Sequence, residues 1–305
     1  VRLERMPDGF GPAEVDALLC DTGATTLVNC IGSANMLVPY ADLRPANLDI
    51  VPVTIDACLR RAVSLVHLST SVVVDQIGAR HVVDPRRAPY PYAAVKALAE
   101  VVVAGAPDDL DFTMVRLPRI LGEPDQLVDS SDILVSMVDA CAALGVRPRL
   151  VVREEVTTGR AAAQSILRRL PRPGGPRRLG RDITALRGTV VDYSVFLADF
   201  APDELDVADW KRRLDDSGWA QANPGRWSII DAWLSLGTRL DGRDYGEFLA
   251  ACPSIDLDVR SVTQLDAMTQ QNAALVEQSA AAASSLSGQV SQLASAVQQF
   301  RLQHA

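Results

Sequence analysis

Three short apolar runs, set apart by stretches of helical spacing, constrain this chain more than any other feature. Thr26 to Ile31 (TLVNCI), Ser64 to Ser69 (SLVHLS) and Phe112 to Leu117 (FTMVRL) read as strands that are continuously apolar. Continuous rather than alternating apolarity marks strands covered on both faces. Ile50 to Ala62 and Pro91 to Ala104, between them, carry helical periodicity. Strand and helix in alternation at this interval predict βαβ units and a parallel sheet, hence an α/β fold over residues 1–170.

The character changes after a Pro/Gly/Arg-rich connector, PRPGGPRRLGR, at 171–181. All four Trp (Trp210, Trp219, Trp227 and Trp233) then fall within 24 consecutive positions. Such a cluster forms either the core of a small helical subdomain, here 182–252, or a ligand-stacking surface. Asp206 to Leu214 and Ser228 to Leu236 read as its helices. A second break follows Pro253. Residues 261–305 are rich in Ala, Ser and Gln, and Leu286, Val290, Leu293, Val297 and Phe300 repeat at heptad spacing. As one helix these residues would span roughly 68 Å, far more than capping a domain requires.

Charge and composition narrow the partners. The 305 residues carry 30 Lys+Arg against 38 Asp+Glu, a net charge of -8. That disfavours nucleic acid and anionic membranes, which call for a concentrated basic patch. No apolar run has the length of a membrane helix and no signal-like core opens the sequence, so a cytoplasmic, membrane-free chain is expected. Five scattered Cys without a C-x-x-C and three dispersed His predict no metal site. Only two of the 30 basic residues are Lys, Lys96 and Lys211. A chain that writes Arg almost everywhere keeps Lys where a compact, pKa-tunable ammonium is useful.

Lys96 also belongs to the sharpest local motif, Tyr92-Ala-Ala-Val-Lys96. Four-residue spacing puts phenol and ammonium on one helical face. A neighbouring cation is expected to favour the phenolate and lower the Tyr92 pKa towards the range of a working general acid. The motif follows a strand ending in Ser69-Thr70-Ser71, where a hydroxyl stands at the ligand-binding edge of a parallel sheet.

HLSTSVVV (67–74), YPYAAVKALAE (90–100) and VRLPRILG (115–122) together resemble an extended short-chain dehydrogenase/reductase with a Rossmann-like sheet. NMLVPYADLRPAN (35–47), SDILVSMVDACAALGVRP (131–148) and ADWKRRL (208–214) narrow the resemblance. They look like the thioester reductase domains of nonribosomal peptide and polyketide synthases, relatives of carboxylic acid reductases and male-sterility-type fatty acyl reductases. The resemblance implies a Thr70–Tyr92–Lys96 triad. Thr70 orients a carbonyl, Tyr92 protonates the developing oxyanion, and Lys96 binds the nicotinamide ribose. It implies NADPH as cofactor and a carrier-bound acyl or peptidyl thioester as substrate, reduced to aldehyde or alcohol. Asn47 matches a family Asn, with either a cofactor-site role or simple helix capping open to it.

The same resemblance exposes a departure. No G-x-x-G-x-x-G follows a strand to cradle a pyrophosphate. Aligned with the family, Val1 falls near its third strand, so an incomplete sheet lacking the first βα units and impaired cofactor binding are expected. The tail resembles a different family. TQQNAALVEQSAAAA (269–283) is similar to the methylation helix of methyl-accepting chemotaxis proteins, with Glu277 and Gln278 at the modification site. That implies a long C-terminal helix capable of self-association. The alternative to an enzyme is an interaction or signal-transduction fragment assembled through that helix.

Overall fold

The computed structural model describes residues 11–34, 39–73, 79–88, 90–123, 126–127, 130, 132–170 and 180–235. All of these lie in one unit that runs from Val1 to Val259. The tail at 261–305, with Glu277, Gln278 and the heptad positions, lies outside the described residues.

The first layer follows the predicted alternation. Helix α1 (Pro12–Thr22) leads into β1 (Thr26–Asn29). A short α2 (Tyr40–Arg44) runs through a π turn (Pro45–Asp49) into α3 (Ile50–Arg61), followed by β2 (Ser64–Thr70). Helix α4 (Pro91–Ala104) then returns the chain to β3 (Phe112–Leu117). The three strands pair in parallel in the order β1-β2-β3, with Thr26 opposite Ser64 and Leu65 opposite Phe112. Helices α3 and α4 pack on β2. Val66 and Val115 turn to the opposite face and meet Ala162 and Ile166, so both faces of the sheet are covered. This double cover explains why these strands read as unbroken apolar runs.

The chain then builds a second layer. It comprises β4 (Arg119–Leu121), α5 (Ile133–Leu144), β5 (Val146–Pro148) and β6 (Arg153–Thr158), while α6 (Gly159–Leu167) returns to cover the first sheet. Beyond the connector come β7 (Arg181–Ala185), β8 (Thr189–Asp192), α7 (Tyr193–Ala198) and β9 (Asp203–Leu205). Helices α8 (Val207–Asp215), α9 (Gly218–Ala222) and α10 (Pro224–Ser235) complete it. Strands β4, β6 and β8 form one small sheet, and β5 pairs with β9. Trp210 is fully buried at the centre of this layer, its indole N–H donating to the Val146 carbonyl at 2.8 Å. Trp219, Trp227 and Trp233 pack against the same core.

Packing crosses the boundary that composition drew at the connector. Strand β7 lies beyond it yet pairs in parallel with β3, as the fourth strand of the first sheet. Helix α5 lies before it yet gives Ile133, Leu134, Met137, Ala140 and Cys141 to the tryptophan core. A parallel pairing needs a long crossover, and the connector is part of one. No helix among the described residues is long and apolar enough to cross a membrane.

Candidate active site

The site stands at the carboxyl end of β2, the edge where open parallel sheets take their ligands. Thr70 is the last residue of β2, and its Oγ1 accepts from the Val72 amide at 3.4 Å as the strand breaks into a turn. Helix α4 begins with Pro91 at its first position, pre-set for helical φ. Tyr92 therefore lies in its first turn, Lys96 one turn on and Glu100 one turn further, along a single face. The phenol of Tyr92 lies near enough to the Thr70 hydroxyl for that hydroxyl to favour its ionised form. Lys96 is 4% exposed, and its Nζ donates to the Leu68 carbonyl at 2.7 Å, two residues before Thr70. Sequence spacing placed three residues on two elements, and the fold brings all three together.

The electrostatics depart from the expectation. Burial pushes the Tyr92 phenol above its ordinary value, and the nearby Thr70 hydroxyl pulls it part of the way back. Lys96 does not tune the phenol here, because its ammonium is drawn to the Leu68 carbonyl and to neighbouring groups of its own. Burial lowers Lys96 itself to about 8, with the Glu100 carboxylate, and secondarily Cys30, acting in the opposite sense. His67, on β2, is held neutral by burial and by the nearby Lys96 charge. Its Nδ1 meets the Asn29 amide at 3.4 Å, while its buried Nε2 has no protein partner.

Asn47 sits in the π turn, a distortion often found at functional positions. Its side chain caps no helix; the amide donates to the Leu43 carbonyl at 2.9 Å and to Ser33 at 3.1 Å, tying down the loop after β1. Its Oδ1 is buried without a partner, and a Cβ on Gly32 would come within 2.7 Å of it. The turn packs against α4, but Asn47 makes no bond to Lys96 or Tyr92.

Two charged residues were missed in the sequence reading. Arg116 of β3 and Glu100 of α4 form an ion pair at 2.6 Å with side chains 1% and 0% exposed. Ser69, the neighbour of Thr70, donates its hydroxyl to the same carboxylate at 2.6 Å. The signal was present: an Arg inside FTMVRL and a Glu inside ALAE interrupt segments that are otherwise buried. A charge is kept at such a place only when a partner is built for it.

A family profile described as male sterility protein, an NAD-binding type, matches residues 9–161, half of the chain. The chain belongs to the male sterility protein family. Within curated sequences it is 53% identical over 278 residues to an isonitrile lipopeptide synthase of Mycobacterium marinum, an alignment covering 91% of this chain. The chain spans only 20% of that synthase's length. Its fold is similar to that of the terminal R domain of the myxalamid PKS-NRPS pathway, with a TM-score of 0.57 and 19% identity. That likeness covers 78% of this chain and 62% of the R domain.

A male sterility family member implies a nicotinamide dinucleotide, and the residues fit one end of it. Lys96 brings a buried ammonium with donors to spare beyond Leu68, and the orphaned His67 Nε2 marks a second unspent polar atom beside it. The pyrophosphate end is not matched among the described residues. The N-terminus of α1 already carries a carboxylate, since Gly11 N–H donates to Glu14 at 2.9 Å. No other helix among the described residues follows a Gly-rich turn from a strand.

Proposed function

We propose that this chain carries the catalytic face of an NADPH-dependent reductase acting on carrier-bound acyl or peptidyl thioesters. The observation that carries the reading is the nearness of the Tyr92 phenol to Thr70 beside a buried Lys96 at the carboxyl end of β2. Membership of the male sterility family and similarity to a lipopeptide synthase support the same chemistry. When bound, the cofactor supplies a hydride to the thioester carbonyl carbon. Thr70 and Tyr92 hold the carbonyl oxygen by hydrogen bonds, and Tyr92 gives it a proton as negative charge develops. The resulting hemithioacetal expels the carrier thiol and leaves an aldehyde. Lys96 holds the nicotinamide ribose.

Tyr92→Phe tests this directly. Removing only the proton donor should lower turnover of a pantetheine thioester by about 10²–10⁴-fold while leaving NADPH affinity nearly unchanged. Turnover is read by NADPH absorbance and affinity by its fluorescence. Equal turnover in the variant and the parent would sink the triad. Self-association through the chemotaxis-receptor-like tail is a second, separable proposal, resting on its heptad seam alone.

A further inference from the structure

We propose that Glu100 is a positioning residue: its carboxylate, fastened by Arg116, holds the Ser69–Thr70 end of β2 and the Lys96 ammonium in their working places. What Lys96 serves rests on the reductase reading above; how Glu100 acts on it does not.

Each ligand of the carboxylate leads to a different part of the site. Oε1 accepts from Ser69 Oγ at 2.6 Å and from Arg116 Nε at 2.9 Å, and Oε2 accepts from Arg116 Nη2 at 2.6 Å. Arg116 spends its remaining reach on the chain that leads from β2 towards α4. Its Nη1 donates to the Ala79 carbonyl at 2.6 Å and its Nη2 to the His81 carbonyl at 2.7 Å. One buried carboxylate thus ties β2, β3, α4 and the approach to Tyr92 together. A charge-neutral pair of apolar residues would fill the same space with less desolvation cost. Retention of the ions here has a use beyond packing.

That use is Lys96. The groups that act on its ammonium are Glu100 on α4, His67 and the Leu68 carbonyl on β2, and Cys30 after β1. His67 is neutral, and burial raises the Cys30 thiol, which keeps it uncharged at neutral pH. Glu100 is then the one anion among them. Burial alone drives Lys96 towards the neutral amine, which cannot hold a phenolate or donate three hydrogen bonds. Glu100 opposes that drive.

The chain is suited to the test because Lys96 and Lys211 are its only lysines. Protein labelled with ¹³Cε-lysine gives two resonances, assigned with Lys211→Arg, and each is titrated by NMR without cofactor or substrate. Lys96 should titrate near pH 8. In Glu100→Gln its midpoint should fall by roughly half a pH unit or more, with Lys211 unmoved. Glu100→Asp, which keeps the charge, should restore most of the shift. Glu100→Gln leaves Arg116 buried and uncompensated, so the paired variant Glu100→Gln/Arg116→Met is titrated as well. An unchanged Lys96 midpoint in both variants would overturn the assignment, as would failure of both to fold, which would make the cluster a stability element only. A shifted Lys96 in a protein that reduces no thioester would leave Glu100's role standing and remove the reductase reading.

Discussion

Lys96 is an expensive residue. An ammonium brought to about 8 from 10.5 is less welcome in the folded protein than in the unfolded chain. Its folded pKa is depressed, so the penalty is complete below pH 8 and fades as pH rises from about 8 to 10.5, where the folded state gives up the proton first. Lys96→Met should therefore stabilise the protein at neutral pH, and that advantage should shrink by on the order of 3 kcal/mol by pH 10.5. Urea midpoints of parent and variant at pH 7 and pH 10 check it; a pH-independent difference would mean the ammonium is solvated. The same residue marks how far sequence reading reached. Tyr92 and Lys96 were legible because helix geometry fixes a four-residue spacing, and Thr70 because a strand's last hydroxyl lies at a known edge. The direction of the Tyr92 shift was not legible, because it depends on how deeply the phenol is buried and where the ammonium points. Glu100 and Arg116 lie on different elements, and only their pairing in space shows what each is for.

At the scale of elements, α1 and β7 were not read at all, whereas α4 at Pro91–Ala104 and β3 at Phe112–Leu117 were read to the residue. Both are long, strongly patterned segments. Strands β4, β5 and β9 are three residues each, too short to show any period. β6 (REEVTT) and β7 (RDITA) carry charges at their ends, which hid them from a search for apolar runs. Arg187 accounts for one of those charges, pairing with Glu155 at 2.5 Å. One helix end is also improvable. Helix α3 closes on Ala62 in the left-handed region at φ 51, a conformation that costs a residue with a Cβ and suits glycine. Gly23 and Gly145 occupy the equivalent position after α1 and α5. Ala62→Gly should raise stability by about 0.5–1 kcal/mol, the relief of strain exceeding the added freedom of the unfolded chain. A lower melting temperature in the variant would show that the neighbouring turn depends on the Ala side chain.

Across the whole molecule, two layers share one chain in an interleaved order, and the tail adds its own expectation. If the seam at Leu286, Val290, Leu293, Val297 and Phe300 associates, removal of 261–305 should lower the light-scattering mass at high concentration. An identical mass in both forms would leave the seam without a role. The interleaving has a consequence in time. Strand β3 ends at Leu117, but its outer neighbour in the sheet does not begin until Arg181, after the whole of β4 to α6 has been laid down. At roughly 5–20 residues per second, a ribosome leaves that flank of β3 unpaired for on the order of several seconds. Arg116, the penultimate residue of β3, sits there with its charge until α4 packs and Glu100 closes on it. A buried cation on a nascent strand is poor material for pairing with a neighbouring chain, so the residue that anchors the finished site also guards the unfinished sheet.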